Sequence, residues 1–147
     1  MGTIVKVLIV DDEIYVLRSL VRLFRTCEFE VAITSSSSPI DAYHLFETEG
    51  PVDIVLSDFL MPVMNGIDLV GRIRSKWPGT VNIILSGHAD MVQINKAIAE
   101  GLIKYFVTKP WNDGDLLQLV RNEALCISLP FGSALDMESN LNNTLVW

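Results

Sequence analysis

Residues 52–66 read Val-Asp-Ile-Val-Leu-Ser-Asp-Phe-Leu-Met-Pro-Val-Met-Asn-Gly, and this stretch decides how the rest of the chain is interpreted. Its apolar run at residues 54–56 is typical of a short buried strand. Asp58 stands where that strand is predicted to end, and the chain breakers Met61-Pro62 and Asn65-Gly66 follow it. A carboxylate beside a buried strand is costly unless it is paired, binds a metal or reaches water. Asp58 is therefore either a functional group or a strand-end aspartate that faces solvent.

Length and composition indicate one ordinary globular domain. The chain has 147 residues, of which 50% are hydrophobic and 20% are charged. Its formal net charge of -7 argues against direct nucleic-acid binding and favours a cationic ligand such as a metal ion. Cys27 and Cys126 lie far apart and lack the spacing of metal ligands, so free thiols in a reducing compartment are predicted.

The sequence carries no sign of export or of a membrane span. Its first residues lack a basic segment followed by a cleavable apolar stretch, and no apolar run approaches the length of a membrane helix. These features predict a cytoplasmic location and no association with a membrane.

Strand-like and helix-like segments alternate along the chain. Predicted strands cover residues 5–10, 29–34, 54–56, 81–85 and 104–108, and apolar residues at helical spacing follow each of them. This alternation predicts a parallel sheet with helices on both faces and right-handed crossovers, which is an α/β doubly wound fold. A nucleotide-binding enzyme is disfavoured, because the sequence has neither a Gly-rich phosphate loop nor a Rossmann fingerprint.

Three acidic residues in a row, Asp11, Asp12 and Glu13, join the first strand to the first helix. Helix capping explains one or two of them, because Asp favours the N-cap and acidic residues suit the first turn. Capping does not explain why adjacent carboxylates tolerate their mutual repulsion. Both interpretations, a capped helix and a functional acidic site, stay open at this point.

Four of the five predicted strands deliver polar groups at their carboxyl ends, namely Asp11 with Asp12, Asp58, Ser86 and Lys109. In a doubly wound sheet these ends converge on one crevice. Carboxylates that lie so close together need a cation, and oxygen ligands without His or Cys select a hard ion, most simply Mg²⁺. Lysine supplies a point charge for a phosphate, the serine supplies a hydroxyl donor, and one aspartate can act as the nucleophile toward a phosphoryl group.

The chain resembles the receiver domain of two-component response regulators. The family's marks are an acidic pair after strand one, Asp-x-x-Met-Pro-x-Met-x-Gly after strand three, Ser or Thr after strand four and Lys-Pro after strand five. This sequence has Asp11-Asp12, the segment 58–66, Ser86 and Lys109-Pro110, and the likeness runs over about residues 6–125. The resemblance implies a CheY-like, flavodoxin-like (βα)5 fold with strand order 2-1-3-4-5.

The resemblance also implies which residues accept the phosphoryl group and bind the metal. Asp58 would be the phosphoacceptor. Asp12 and Asp58 would ligate Mg²⁺ (or Mn²⁺) directly, together with the backbone carbonyl of Leu60. Asp11 would act on the metal mostly through a water molecule.

The remaining marks imply roles in phosphate binding and switching. Lys109 would pair with Asp58 or with the phosphoryl oxygens, and Ser86 would hydrogen-bond the phosphoryl group and move toward it. Phe106 matches the family's switch aromatic, and the alternative is a core phenylalanine on strand five. Family members often have a cis peptide bond before the proline, so Lys109–Pro110 is a candidate for one.

The function that the resemblance implies is a phosphorylation-operated switch. A sensor histidine kinase or a phosphotransfer protein would donate the phosphoryl group. The surface of helix four, strand five and helix five would then change and bind a partner, which includes a second copy of the chain in a homodimer. Such a protein phosphorylates and dephosphorylates itself and is not a turnover enzyme. The alternatives are a metal-dependent phosphotransferase or phosphatase on small substrates, and a pseudo-receiver that only binds proteins.

The resemblance divides the chain into a receiver domain, residues 1–127, and a C-terminal tail, residues 128–147, without a recognisable output domain. The tail is too apolar for a plain disordered segment. It is either the remnant of a truncated chain or a segment that docks on an apolar surface of its own domain or of a second subunit. The last helix is predicted to offer such a surface through Leu116, Leu117, Leu119 and Val120.

Overall fold

The computed structural model describes residues 4–87 and 90–128, and its strands and helices alternate in the predicted order. The elements are β1 (Val5–Val10), α1 (Ile14–Arg25), β2 (Val31–Ser36), α2 (Pro39–Glu49), β3 (Ile54–Asp58), α3 (Gly66–Lys76), β4 (Val81–Ser86), α4 (Met91–Ala99), β5 (Tyr105–Thr108) and α5 (Asp113–Ser128). Within the described ranges, no helix is both long and apolar enough to cross a bilayer. The predicted tail, apart from its first residue, lies outside the described residues.

The five strands form one parallel sheet in the order β2-β1-β3-β4-β5, which confirms the predicted fold class and strand order. β3 occupies the centre of the sheet and is buried along its whole length. Asp58 is the last residue of β3 and pairs with Leu85 of β4. Its carboxylate therefore belongs to the central strand itself, at the carboxyl edge of the sheet.

The predicted bounds of the second strand, residues 29–34, were wrong by two residues, because β2 covers Val31–Ser36. Parallel pairing with β1 extends from Val31 to Ser36 and carries the strand over serines of weak strand propensity. The carbonyl of Ser36 then accepts a hydrogen bond from the N–H of Asp11 at 3.2 Å. The extension of this edge strand thus helps to fix the backbone that carries the acidic pair.

Helices cover both faces of the sheet and bury two separate apolar clusters. α1 and α5 lie on one face, and α2, α3 and α4 lie on the other. Successive residues of β3 alternate between the clusters: Ile54 and Leu56 pack toward α1 and α5, whereas Val55 packs toward the opposite helices. Burial of both faces explains why this strand is continuously apolar rather than alternating.

The apolar surface predicted on α5 is largely absent. The helix reaches across the sheet as far as β1, so its inward face is broad. Three of the four residues assigned to the surface are buried and the fourth is half-buried in the same cluster: Leu116, Leu119 and Val120, with Leu117. The exposed apolar side chains of the helix are Leu125 and Ile127, nearer its end.

The loop from β3 to α3 is held tightly against the end of β3. The N–H of Gly66 donates to the carbonyl of Phe59 at 2.7 Å. A Cβ at Gly66 would lie 2.3 Å from the carbonyl oxygen of Asp58, a separation that a side chain cannot adopt without displacing the backbone. The side chain of Asn65 caps α3 by accepting from the N–H of Asp68 at 2.8 Å. The Asn-Gly pair thus does more than break the chain, because it fixes the backbone of Asp58.

We expect Gly66→Ala to lower the free energy of unfolding by on the order of 2–4 kcal/mol, because its Cβ must push the backbone of Asp58 aside. Gly71→Ala is the matched control in the same helix, where nothing lies within 4 Å of the added Cβ. That control should raise the free energy of unfolding by about 0.5–1 kcal/mol. Urea denaturation measures both, and a similar change in the two variants would contradict the close approach.

Candidate functional site

The carboxyl edge of the sheet brings together the polar residues that the sequence singled out. Asp11 follows β1, Asp58 ends β3, Ser86 ends β4 and Lys109 follows β5. A carboxylate oxygen from each of Asp11, Asp12 and Asp58 lies within 4.8 Å of the others. This edge is where parallel α/β sheets present ligand sites, so the predicted convergence of the strand ends is observed.

The three carboxylates differ in their exposure. Asp11 is 0% exposed and Asp58 is 6% exposed, whereas Asp12 is on the surface. Two charged groups are therefore largely removed from water, which is costly without compensation. The third acid is positioned to contact anything that enters the cluster from solvent.

Lys109 supplies the compensating positive charge. Its Nζ lies 2.7 Å from Oδ1 of Asp58 and 3.7 Å from Oδ2 of Asp11, so it serves both buried acids. The backbone N–H of Lys109 donates to the carbonyl of Ser86 at 2.8 Å, which continues the pairing of β4 with β5. The Lys109–Pro110 peptide bond is cis, as the resemblance suggested.

Burial and charge shift the proton equilibria of the site. Burial raises the pKa of Asp11 from 3.8 to about 6, and the hydrogen bond from the N–H of Glu13 offsets only part of this rise. Burial also raises the pKa of Asp58, although the hydrogen bond and charge of Lys109 oppose the shift. Burial alone would lower the pKa of Lys109, but the hydrogen bond to Asp58 and the charges of both buried acids prevail and raise it.

The cluster has the character of a cation site. Oδ1 of Asp11 accepts the N–H of Glu13 at 2.9 Å, but Oδ2 is buried and has no hydrogen-bond partner among the described residues. A buried carboxylate oxygen without a hydrogen bond is unusual and calls for a ligand. Three carboxylates beside one ammonium leave a net negative charge, and an all-oxygen donor set suits a hard divalent ion.

Helix capping, the alternative interpretation of the acidic triplet, accounts for little of it. Glu13 is the N-cap of α1, yet its side chain makes no capping hydrogen bond. Asp11 accepts one backbone N–H through a single oxygen. The adjacent carboxylates are therefore not explained by the needs of the helix.

Ser86 is buried, with 1% of its surface exposed, and its hydroxyl makes hydrogen bonds to residues close to it in sequence. Its Oγ lies 3.0 Å from Oδ2 of Asp90 and 3.0 Å from the carbonyl oxygen of Gly87. Sequence reasoning missed this contact. The signal that was available is the spacing of four residues between the serine and an acidic residue at a helix start.

Phe106 and Leu60, two further residues to which the resemblance gives roles, differ in burial. Phe106 is half-buried, lies opposite Ile84 in the sheet and packs into the cluster on the side of α4, so it also fits the core role considered as its alternative. Leu60 lies two residues beyond Asp58 with its side chain 66% exposed. The role expected of Leu60 involves its backbone carbonyl and not this side chain.

A second polar network ties β5 to α5, and sequence reasoning missed it as well. Glu123 is 2% exposed and accepts hydrogen bonds from the hydroxyl of Tyr105 and from Nζ of Lys104. Burial raises the pKa of Tyr105, and the contact with Glu123 adds to the rise. A single Glu within an amphipathic helix looks like a surface residue, so nothing in the sequence marks its burial.

The chain is similar to known proteins over most of its length. A family model described as response regulator receiver domain matches residues 7–121. The hydrogenase transcriptional regulatory protein HoxA of Cupriavidus necator is 35% identical over 115 residues, which make up 78% of this chain and 23% of that protein. The chemotaxis protein CheY of Listeria monocytogenes is 28% identical over 119 residues, or 81% of this chain and 98% of that protein.

Solved structures show the same architecture. A response regulator receiver domain protein from Clostridium thermocellum matches with a TM-score of 0.77 and 28% identity, covering 86% of this chain and 98% of that one. The chain thus matches 98% of the length of the CheY protein but only 23% of the length of the HoxA regulators.

The raised pKa of Asp11 predicts how the metal-free protein responds to pH. The folded protein binds this proton more tightly than the unfolded chain does. Below pH 3.8 Asp11 is protonated in both states, so it does not lower the free energy of unfolding. The destabilisation grows as the pH rises and is complete above about pH 6. At neutral pH, Asp11→Asn should therefore raise the free energy of unfolding by on the order of 3 kcal/mol. Denaturation in EDTA at about pH 4.5 and about pH 8 measures the gain, which should be larger at the higher pH.

Asp12→Asn is the matched control for that experiment. It removes the same charge from the same cluster, but the Asp12 side chain is exposed. Its effect on the free energy of unfolding should be clearly smaller. If both substitutions stabilised the protein equally, simple charge reduction rather than the burial of Asp11 would be the cause.

Proposed function

This chain belongs to the response regulator receiver domain family, and we propose that it acts as a phosphorylation-operated switch whose phosphoacceptor is Asp58. Receiver domains are signalling modules of two-component systems rather than turnover enzymes. One observation carries the proposal: Nζ of Lys109 lies 2.7 Å from Oδ1 of the buried Asp58, inside the three-carboxylate cluster. A partly dehydrated carboxylate with a fixed cation beside it suits nucleophilic attack on a phosphoryl group.

The proposed reaction moves a phosphoryl group from a phosphohistidine to Asp58. A carboxylate oxygen of Asp58 attacks phosphorus, the new O–P bond forms, and the P–N bond to the donor breaks. The electron pair of that bond stays on the donor imidazole, which takes up a proton. Lys109 holds the attacking carboxylate in place and neutralises negative charge on the transferring oxygens.

The residues that hold the metal in this proposal are Asp12 and Asp58, with the backbone carbonyl of Leu60, while Asp11 acts mostly through a water. When bound, Mg²⁺ or Mn²⁺ supplies positive charge to the transferring phosphoryl group. Two observations support the assignment: the acids are close enough to share an ion, and the buried Oδ2 of Asp11 lacks a hydrogen bond.

The proposed output runs from Ser86 and Phe106 to the surface of α4, β5 and α5. Phosphorylation draws the Ser86 hydroxyl toward the phosphoryl group, and Phe106 moves into the space that this leaves. The change shifts the equilibrium between two conformations of this surface. The surface carries the exposed side chains of Val92 on α4 and Leu125 on α5. The donor is a sensor histidine kinase or a phosphotransfer protein, and the recipient is an output partner or a second copy in a homodimer.

Asp58 is the residue on which the first functional prediction depends. Incubation with Mg²⁺ and acetyl phosphate should add a single phosphoryl group to the protein, detected by intact mass spectrometry, and Asp58→Ala should abolish it. Asp53→Ala is the matched control just before the start of the same strand, where the carboxylate accepts the N–H of Lys6 at 2.8 Å. It should be phosphorylated like the wild type.

The same experiment separates the alternatives. A phosphatase on small substrates would release inorganic phosphate over many turnovers without a stable adduct. A pseudo-receiver would give neither adduct nor phosphate release, and its partner binding would not depend on the phosphodonor. Either result would refute the switch.

Metal binding should stabilise the fold, because the cation relieves repulsion among the three carboxylates. At a hundredfold excess of Mg²⁺ over its dissociation constant, the gain in the free energy of unfolding should be about 2.7 kcal/mol. Thermal denaturation with and without Mg²⁺ measures the gain, and Asp12→Ala should remove most of it. A melting temperature of the wild type that does not respond to Mg²⁺ would rule out the metal assignment.

A further inference from the structure

The hydroxyl of Ser86 has a single proton to donate, and that proton is already engaged. Its Oγ lies 3.0 Å from Oδ2 of Asp90 and 3.0 Å from the carbonyl of Gly87. A serine hydroxyl donates one hydrogen bond at a time, and a bond to an ionised acceptor is the stronger of two alternatives. Ser86 therefore cannot donate to Asp90 and to a phosphoryl group on Asp58 together.

The carboxylate of Asp90 is turned away from its ordinary role. Asp90 is the N-cap of α4, a position where an aspartate normally accepts an N–H of the first turn. Here it makes no capping hydrogen bond, and α4 has no acidic residue in its first turn. The carboxylate instead reaches back four residues to Ser86.

We propose that Asp90 is a positioning residue that holds the hydroxyl of Ser86 in an inactive orientation until the phosphoryl group on Asp58 competes for it. The inference deepens the proposed function and rests on it. Release of Ser86 from Asp90 is then a step that every activation must include. If the serine is released from Asp90 in only a fraction of the molecules, the apparent dissociation constant for a phosphoryl mimic equals the intrinsic constant divided by that fraction.

A purely structural role for the contact makes a different prediction. A buried hydroxyl needs a hydrogen-bond partner, and Asp90 would serve as one without affecting the reaction. Removing Asp90 would then change stability alone. The two roles are distinguished by measuring ligand affinity in the presence and absence of the Ser86 hydroxyl.

The test uses beryllium fluoride with Mg²⁺, a mimic of a phosphoryl group on a carboxylate, titrated into the full chain by calorimetry. Asp90→Ala should tighten the apparent dissociation constant about tenfold. Asp90→Asn should tighten it less, because its neutral amide oxygen still accepts from Ser86 more weakly. Asn caps helices as well as Asp does, so this variant keeps the test available if Asp90→Ala does not fold.

Two controls isolate the contact. In a Ser86→Ala background, Asp90→Ala should leave the affinity unchanged, because there is no hydroxyl to release. Asp68→Ala, which removes an exposed carboxylate from the first turn of α3, should also leave it unchanged.

The outcomes separate this inference from the function on which it rests. If the wild type bound the mimic in an Asp58-dependent way but both Asp90 variants had its affinity, the positioning role would be overturned and the proposed switch would stand. Equal tightening with and without Ser86 would overturn it too. If the wild type showed no binding that Asp58→Asn removes, both the switch and the role of Asp90 would fail.

Discussion

The carboxyl edge of the sheet depends on the ion pair between Lys109 and Asp58, whose Nζ and Oδ1 lie 2.7 Å apart. In the described part of the chain, Lys109 is also the one cation within ion-pair distance of Asp11. Breaking such a buried pair leaves an uncompensated charge, which costs far more than the pair contributes. The β4–β5 pairing before Lys109 and the close approach of Gly66 to Asp58 fix the backbones on which this pair is built.

The sequence predicted the fold well because a parallel sheet covered on both faces leaves a plain pattern. β1, β3 and β4 are buried on both sides and read as apolar runs between helical segments. The edge strand β2 was placed two residues early, because its bounds depend on pairing with β1 and not on its own residues. The buried face of α5 is also wider than predicted, because its width depends on how far the helix reaches across the sheet.

The predicted site was largely assembled from strand ends, and the same reasoning explains what it missed. Asp11, Asp58 and Lys109 could be placed together because topology alone decides where strands of a parallel sheet end. The hydrogen bond between Ser86 and Asp90 cannot be placed in this way. A carboxylate at a helix start can either cap its own helix or accept a hydrogen bond from an earlier residue, and Asp90 does the second. The burial of Glu123 depends on Lys104 and Tyr105 at the start of β5, since a Glu in an amphipathic helix is otherwise read as exposed.

A ligand shifts a conformational equilibrium only by the difference in its interactions with the two states. In the proposed switch, Ser86 would give up an existing hydrogen bond before making a new one, so its net contribution to the equilibrium would be the difference between two similar bonds. The buried Oδ2 of Asp11 gives up no hydrogen bond when a cation arrives. A cation would relieve repulsion among the carboxylates in both conformations of the proposed switch. Only an interaction that differs between the two conformations, such as the hydrogen bond of Ser86, would decide which one is populated.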